Sequence, residues 1–135
     1  MLSAVAGSRM SEEPSPSTVL VVEDEILVRT ATAEYLRMVG YKVVEAGNAA
    51  EAMAVLDAGM EIDLVFSDIV MPGDVDGVGL VLLVRSRHGA IPVVLTSGDQ
   101  SRAADAKIAD FFVRKPYRAS ALARRIAGLI ERSKA

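Results

Sequence analysis

Five short apolar runs alternate with segments of helical periodicity along this chain, and the pattern leaves few folds open. The runs are Thr18-Val19-Leu20-Val21-Val22, Tyr41 to Ala46, Leu64 to Asp68, Ile91 to Ser97, and Phe111-Phe112-Val113. Strict alternation of strand and helix signals calls for an α/β domain in which a parallel sheet carries helices on both faces. Near-continuous Val/Leu strands fit such double burial, where an antiparallel sheet with one wet face would alternate apolar and polar residues. Between the runs, Val28, Ala31, Tyr35 and Val39 recur at helical spacing before Gly40. Ala49, Ala52, Met53 and Leu56 do so after Asn48, which forms a near capping box with Glu51. Further helices are expected over about Asp76 to Arg87, over a short polar stretch from Gln100 to Ala106, and over Arg118 to Arg132, with Leu122, Ile126, Leu129 and Ile130 inward.

Two of the strands end in acid. The first runs into Glu23-Asp24-Glu25, and the third ends in Asp68, just before Ile69-Val70-Met71-Pro72-Gly73. In open α/β sheets ligands bind beyond the carboxyl ends of the strands, where the strand order reverses. Acids from two neighbouring strand ends would repel one another there unless a hard divalent cation sat among them. Either cluster alone is equally well explained as caps on the helices that follow. Two more strand ends add chemistry: Thr96-Ser97-Gly98 brings a hydroxyl beside a small residue, and Arg114-Lys115-Pro116-Tyr117 brings an ammonium. Singly, Lys115 reads most simply as solvated surface and Ser97 as a turn hydroxyl. Together, carboxylates, hydroxyl and ammonium at one sheet edge supply what phosphoryl transfer to a carboxylate needs.

Composition narrows the alternatives. The chain has 135 residues, 51% hydrophobic and 24% charged, enough for one domain with its own core. Cysteine is absent and His88 is the single histidine, which excludes disulfides, thiolate metal sites and multi-histidine zinc centres. A net charge of −3 argues against nucleic acid as a direct partner, and no apolar stretch has the ~20 residues a membrane span needs. A cytoplasmic location is expected. Residues 1–17, polar and proline-interrupted toward their end, are expected to form a disordered tail ahead of a domain over 18–133, with Met10 as an alternative start. With nothing resembling an effector segment after it, the domain is expected to act alone.

The chain resembles the receiver domains of bacterial response regulators across nearly all of Thr18 to Ile130. The resemblance rests on Val21-Val22-Glu23-Asp24-Glu25, Asp68-Ile69-Val70-Met71-Pro72, Pro92 through Gly98, and Lys115-Pro116. It implies a flavodoxin-like, doubly wound five-stranded sheet of order 2-1-3-4-5. It makes Asp68 the phosphoacceptor and Mg²⁺ the cofactor, held by Glu23, Asp24, Asp68 and the Val70 backbone carbonyl. Lys115 would pair with the phosphoryl group, and its bond to Pro116 is expected to be cis. Ser97 matches the switch hydroxyl, with Thr96 as a register-shifted alternative, and Phe112 matches the aromatic switch. The implied partners are a sensor histidine kinase or histidine phosphotransfer protein and an unspecified downstream protein. A homodimer contact is one use for the basic face of the last helix. A receiver-like interaction module without phosphorylation and a Mg²⁺-dependent phosphohydrolase are the rival readings; the latter typically needs a second Asp where Val70 stands.

Departures from the family pattern occur in three places, one of them Val70, which is apolar where many receivers carry a polar side chain able to hold a hydrolytic water. The loop Pro72-Gly73-Asp74-Val75-Asp76-Gly77 has one residue more than its commonest form. The stretch between Ser97 and Lys115 is several residues short, so its helix is expected to be reduced to a turn or two with little apolar face, and to be mobile.

Overall fold

The computed structural model describes residues 16–134. The elements are β1 (Thr18–Val22), α1 (Ile26–Met38), β2 (Lys42–Ala46), α2 (Ala49–Asp57), β3 (Leu64–Asp68), α3 (Gly77–His88), β4 (Val93–Ser97), β5 (Phe111–Arg114) and α4 (Ala119–Lys134). All strand pairs are parallel, in the order β2-β1-β3-β4-β5, so the expected flavodoxin-like sheet is the one observed. The chain leaves β1 toward β2 and then returns past β1 to β3. The sheet order therefore reverses between β1 and β3, the two strands that end in acid.

The period of two within each strand separates two cores. Val19, Val21, Leu64, Phe66 and Val94 face α1 and α4, where Leu36, Leu122, Ile126 and Ile130 meet them. Leu20, Val65, Val93 and Leu95 face α2 and α3, against Met53, Leu56, Leu80 and Val84. Each such side chain contributes roughly 1.5–3 kcal/mol by leaving water. The sheet is thereby a firm base that positions the loops at its carboxyl edge.

Local signals explain the helix ends. The Asn48 side chain accepts from Glu51 N–H at 2.8 Å while Glu51 reaches back to Gly47 N–H at 2.6 Å, close to the reciprocal cap expected. Asp76 caps α3 by accepting from Gly79 N–H at 2.9 Å. The buried faces of α2 and α4 are as expected, Leu129 being partly buried. In α1 the period is right and the phase is one residue off: Thr32, Ala33 and Leu36 are buried, whereas Ala31 and Val39 are exposed. A mixed surface with apolar residues on both sides of the helix allowed either phase.

The β4–β5 crossover corrects a second expectation. No α-helix forms over Gln100 to Ala106; two 3₁₀ turns, Gln100–Arg102 and Asp105–Ile108, take its place. The connection has too few residues for a helix that packs along its length. It nevertheless has an apolar anchor, with Ala106 buried and Ile108 and Ala109 packed on the core. The expected tail lies outside the described residues apart from Pro16 and Ser17, whose Ser17 carbonyl accepts from Lys42 N–H at 3.0 Å.

Candidate functional site

Glu23 follows β1 directly and extends its ladder, its N–H donating to the Ala46 carbonyl at 3.0 Å. That pairing buries the Glu23 side chain, while Asp24 beyond it is exposed. Asp68 is the last residue of β3, is buried, and pairs in register with Thr96 of β4. One carboxylate oxygen from each of Glu23, Asp24 and Asp68 lies within 4.8 Å of the others. The capping explanation of these acids fails. Glu25, the N-cap of α1, makes no side-chain cap bond, Glu23 Oε2 accepts instead from Glu25 N–H at 3.1 Å, and Asp68 Oδ1 accepts from Val70 N–H at 3.1 Å.

Lys115 completes the cluster. It follows β5, its N–H donates to the Ser97 carbonyl at 3.0 Å, and its bond to Pro116 is cis as expected. Its ammonium donates to Asp68 Oδ2 at 2.6 Å and to Glu23 Oε1 at 2.8 Å. Burial alone would push the lysine pKa down; hydrogen bonds to Asp68 and Glu23, and their charges, outweigh it and hold Lys115 above the usual lysine range. Glu23 is pushed up, because burial and the neighbouring Asp68 charge outweigh its share of Lys115 and the Glu25 N–H. The ammonium thus stays charged with two acids to serve, and the cleft remains net negative.

The donor set suits a small hard cation. Three carboxylates converge from two strand ends, at close to the spacing of oxygens around one divalent ion, with no nitrogen or sulfur ligand among them. Glu23, Asp24 and Asp68 would hold Mg²⁺, with the Val70 carbonyl as the fourth donor expected from the sequence.

The remaining expected residues line the same edge or sit behind it. Ser97 ends β4 and is buried, and its hydroxyl accepts from Asp99 N–H at 3.0 Å, which leaves its own proton free to donate. Ser97, Gly98 and Lys115 line one cleft with Asp24, Asp68 and Val70. Thr96 is buried as well, but its hydroxyl has no partner among the described residues and does not line that cleft. Phe112 pairs with Leu95 and packs, partly buried, on the α2/α3 core. It does not itself line the cleft.

Three supporting contacts were hidden in the sequence. Arg29 Nη1 donates to the Glu23 carbonyl at 2.9 Å while its Nε pairs with Glu45 at 3.3 Å, bracing the acidic loop from behind. The Tyr117 hydroxyl bonds Thr32 of α1 at 2.8 Å, and the Tyr117 ring stands edge-on to Phe66, centroids 5.5 Å apart, fixing the loop that carries Lys115. Arg102 joins Asp76 to Asp105 across the cleft rim. Each involves residues far apart in sequence that look like ordinary helix-surface or turn residues when read singly.

Known proteins share this sequence pattern and this fold. Residues 19–127 match the family model described as response regulator receiver domain. The chain is 37% identical over 123 residues to the sensor kinase CckA of Brucella abortus, covering 86% of this chain and 13% of that protein. It is 39% identical over 112 residues to the transcriptional regulatory protein PdtaR of Mycobacterium tuberculosis, covering 79% of this chain and 53% of that one. The chain thus spans about half the length, or much less, of these curated relatives. Among solved structures, the response regulator TrrA of Thermotoga maritima in complex with Mg²⁺ and beryllofluoride superposes with a TM-score of 0.77 at 28% identity, covering 84% of this chain and 98% of that one.

Proposed function

The chain belongs to the response regulator receiver domain family of two-component systems, and from that premise we propose that it accepts a phosphoryl group on Asp68 from a histidine kinase or histidine phosphotransfer protein. The observation that carries this is the two-sided grip on one buried carboxylate: Lys115 Nζ at 2.6 Å from Oδ2 and Val70 N at 3.1 Å from Oδ1, with Glu23 and Asp24 oxygens close by. In that grip the carboxylate is fixed for in-line attack, and much of the entropic part of the barrier is met by the fold.

An Asp68 oxygen forms the new P–O bond as the P–N bond of the donor phosphohistidine breaks, and the imidazole leaves. Mg²⁺, when bound among the three carboxylates, would neutralise charge on the phosphoryl oxygens. The chain's own groups do the rest. The Lys115 ammonium transfers part of its bonding from the carboxylates to a phosphoryl oxygen, and the Ser97 hydroxyl donates its free proton to another. The phosphoryl group brings roughly −1.5 to −2 of charge. Lys115 and Ser97 follow it, drawing in the loops after β5 and β4. Phe112 then turns toward the space that Ser97 vacates, and the outer face of β4–β5–α4 changes. The output is a population shift read by a protein partner or passed on along a phosphorelay.

The same proposal takes residues 18–133 as the working unit, acting in the cytoplasm without direct contact to nucleic acid or membrane. Among the described residues no helix is long and apolar enough to cross a membrane. A homodimer through the basic outer face of α4 is one form the output can take. As a phosphoacceptor the domain would catalyse its own phosphorylation and hydrolysis, without turning over an external substrate in bulk.

Intact-protein mass after incubation with acetyl phosphate tests the proposal, with and without Mg²⁺ and with Asp68→Asn alongside. One added phosphate that requires both Mg²⁺ and Asp68 is the expected result. Bulk turnover of a phosphate ester would favour a hydrolase instead. No added mass, together with no binding of beryllofluoride, would favour an interaction module.

A further inference from the structure

Two irregular segments border the cleft. One is the loop from Ile69 to Asp76 between β3 and α3. The other is the β4–β5 crossover, the one crossover among the described residues built without an α-helix. A single guanidinium joins them. Arg102 Nη2 donates to Asp76 Oδ2 at 2.8 Å, and Arg102 Nε donates to Asp105 Oδ2 at 2.8 Å. Asp76 is held in turn, because its other oxygen caps α3 through Gly79 N–H at 2.9 Å. At the far end of the crossover, Arg85 of α3 donates to the Ile108 carbonyl and to Asp110 Oδ2, the latter at 3.2 Å. The crossover is therefore pinned to both ends of one helix.

From Arg102 the contacts run without a break to the cleft. Arg102 N–H donates to the Asp99 carbonyl at 3.0 Å. Asp99 Oδ1 accepts from Ser101 N–H at 3.0 Å and from the Ser101 hydroxyl at 2.6 Å. Asp99 N–H donates to Ser97 Oγ at 3.0 Å. A Ser97 hydroxyl that moves toward a group on Asp68 must either drop the Asp99 N–H or draw residues 98–102 along with it. The second course pulls Arg102 away from Asp76, which the α3 cap keeps in place.

We propose that Arg102 is a positioning residue that latches the Ser97 loop in its resting place through Asp76, so that phosphoryl binding at Asp68 and formation of this ion pair oppose one another. The proposal rests on the phosphoacceptor function given above. Its physical content is a coupling free energy. A ligand favouring the moved loop must first undo the latch, and its apparent affinity falls by the fraction of molecules in which the latch is open. A partly exposed ion pair is worth up to about 1 kcal/mol, which corresponds to about fivefold in affinity.

The test compares beryllofluoride binding in the presence of Mg²⁺ for the wild type, Arg102→Gln, Asp76→Asn and the double variant. Asn at residue 76 keeps an oxygen acceptor for Gly79 N–H, so the α3 cap survives, while the charge and the second acceptor oxygen used by Arg102 are lost. Both single variants are expected to bind about fivefold more tightly, with no further gain in the double variant because both remove the same contact. Unchanged or weaker binding, or gains that add, would overturn the latch. Amide exchange at Asp99 and Ser101 is read on the same proteins with neither metal nor beryllofluoride, and should be about fivefold faster in Arg102→Gln. Unchanged exchange there also overturns the latch. If the wild type binds no beryllofluoride at all, the phosphoacceptor function fails, and the latch is then judged by exchange alone.

Discussion

Gly77 packs against the main chain of Asp68, because the loop that leaves Asp68 folds straight back over it. Gly77 N–H donates to the Ile69 carbonyl at 2.8 Å, and a Cβ at residue 77 would press into the Asp68 carbonyl oxygen and lie 2.7 Å from the Ile69 Cα. Those atoms are backbone and cannot swing aside. Gly77→Ala is therefore expected to destabilise the domain by about 2 kcal/mol, overpacking outweighing the better helix propensity of alanine. Gly98→Ala is the contrast: its Cβ would meet only the Lys115 Cβ at 3.7 Å, an ordinary contact. Chemical denaturation of the two variants checks the difference, and a Gly77→Ala protein as stable as wild type would mean that the loop opens freely.

Lys115 serves two acids, so its removal should separate metal binding from phosphoryl chemistry. In Lys115→Met the mostly buried Glu23 and Asp68 lose their cation, which lies 2.8 and 2.6 Å away in the wild type. The metal-free variant should lose about 2 kcal/mol, less than the ~3–5 of a fully enclosed pair because the cleft opens to water. Mg²⁺ should then raise its Tm by more than it raises that of the wild type, since no ammonium competes for the same oxygens. Phosphoryl uptake from acetyl phosphate should still fall sharply. An equal Mg²⁺ effect on both proteins would show that the ammonium and the metal do not share these ligands.

Much of this arrangement was legible in the sequence because it depends on short-range patterns. Strand runs ending in acid, hydroxyl or lysine are local signals, and a parallel sheet carries every such end to one edge, so Glu23, Asp68, Ser97 and Lys115 could be grouped without knowing a single distance. The failures share a cause as well. In α1 the apolar residues surround enough of the helix that Ala31 looked as good as Ala33, and only the packed Leu36 decides the phase. The β4–β5 crossover was expected to lack an apolar face because the polar run ends just before Ile108, which packs on the core. Arg29, Thr32 and Arg102 act through partners that the fold brings in from elsewhere, and nothing in their immediate surroundings marks them.

Asp76 should give the domain a specific acid response. Burial pushes its carboxyl up, but the Gly79 N–H and Arg102 outweigh burial and hold it below the usual carboxylate range. A carboxylate lowered on folding contributes stability that is fully present above its unfolded value, about 3.9, and is lost as the pH falls through the folded value. The stability difference between wild type and Asp76→Asn should therefore stay level from about pH 7 to pH 5 and shrink below about pH 4. Urea unfolding at several pH values measures it. A difference that stays level below pH 4 as well would mean that the interactions of Asp76 do not depend on its charge, and one that widens toward acid would mean that folding raises its pKa.

Val70 bears on how long a phosphoryl group would last on Asp68. Its backbone N–H holds Asp68 Oδ1 at 3.1 Å, which fixes residue 70 beside the carboxylate, while its side chain is 50% exposed at the mouth of the cleft. Water that hydrolyses an aspartyl phosphate must approach in line with the bond that breaks, and an isopropyl group offers such a water no hydrogen bond. In Val70→Asn the amide can hold that water while the backbone contact to Asp68 stays in place. One added hydrogen bond of about 0.7 kcal/mol would speed dephosphorylation roughly threefold. Stability should change by less than about 0.5 kcal/mol, because the position is on the surface. Loss of phosphate mass with time, followed after the donor is removed, gives the two rates. Equal rates would place the control of lifetime elsewhere, in the access that the loops after β3 and β4 allow to the cleft.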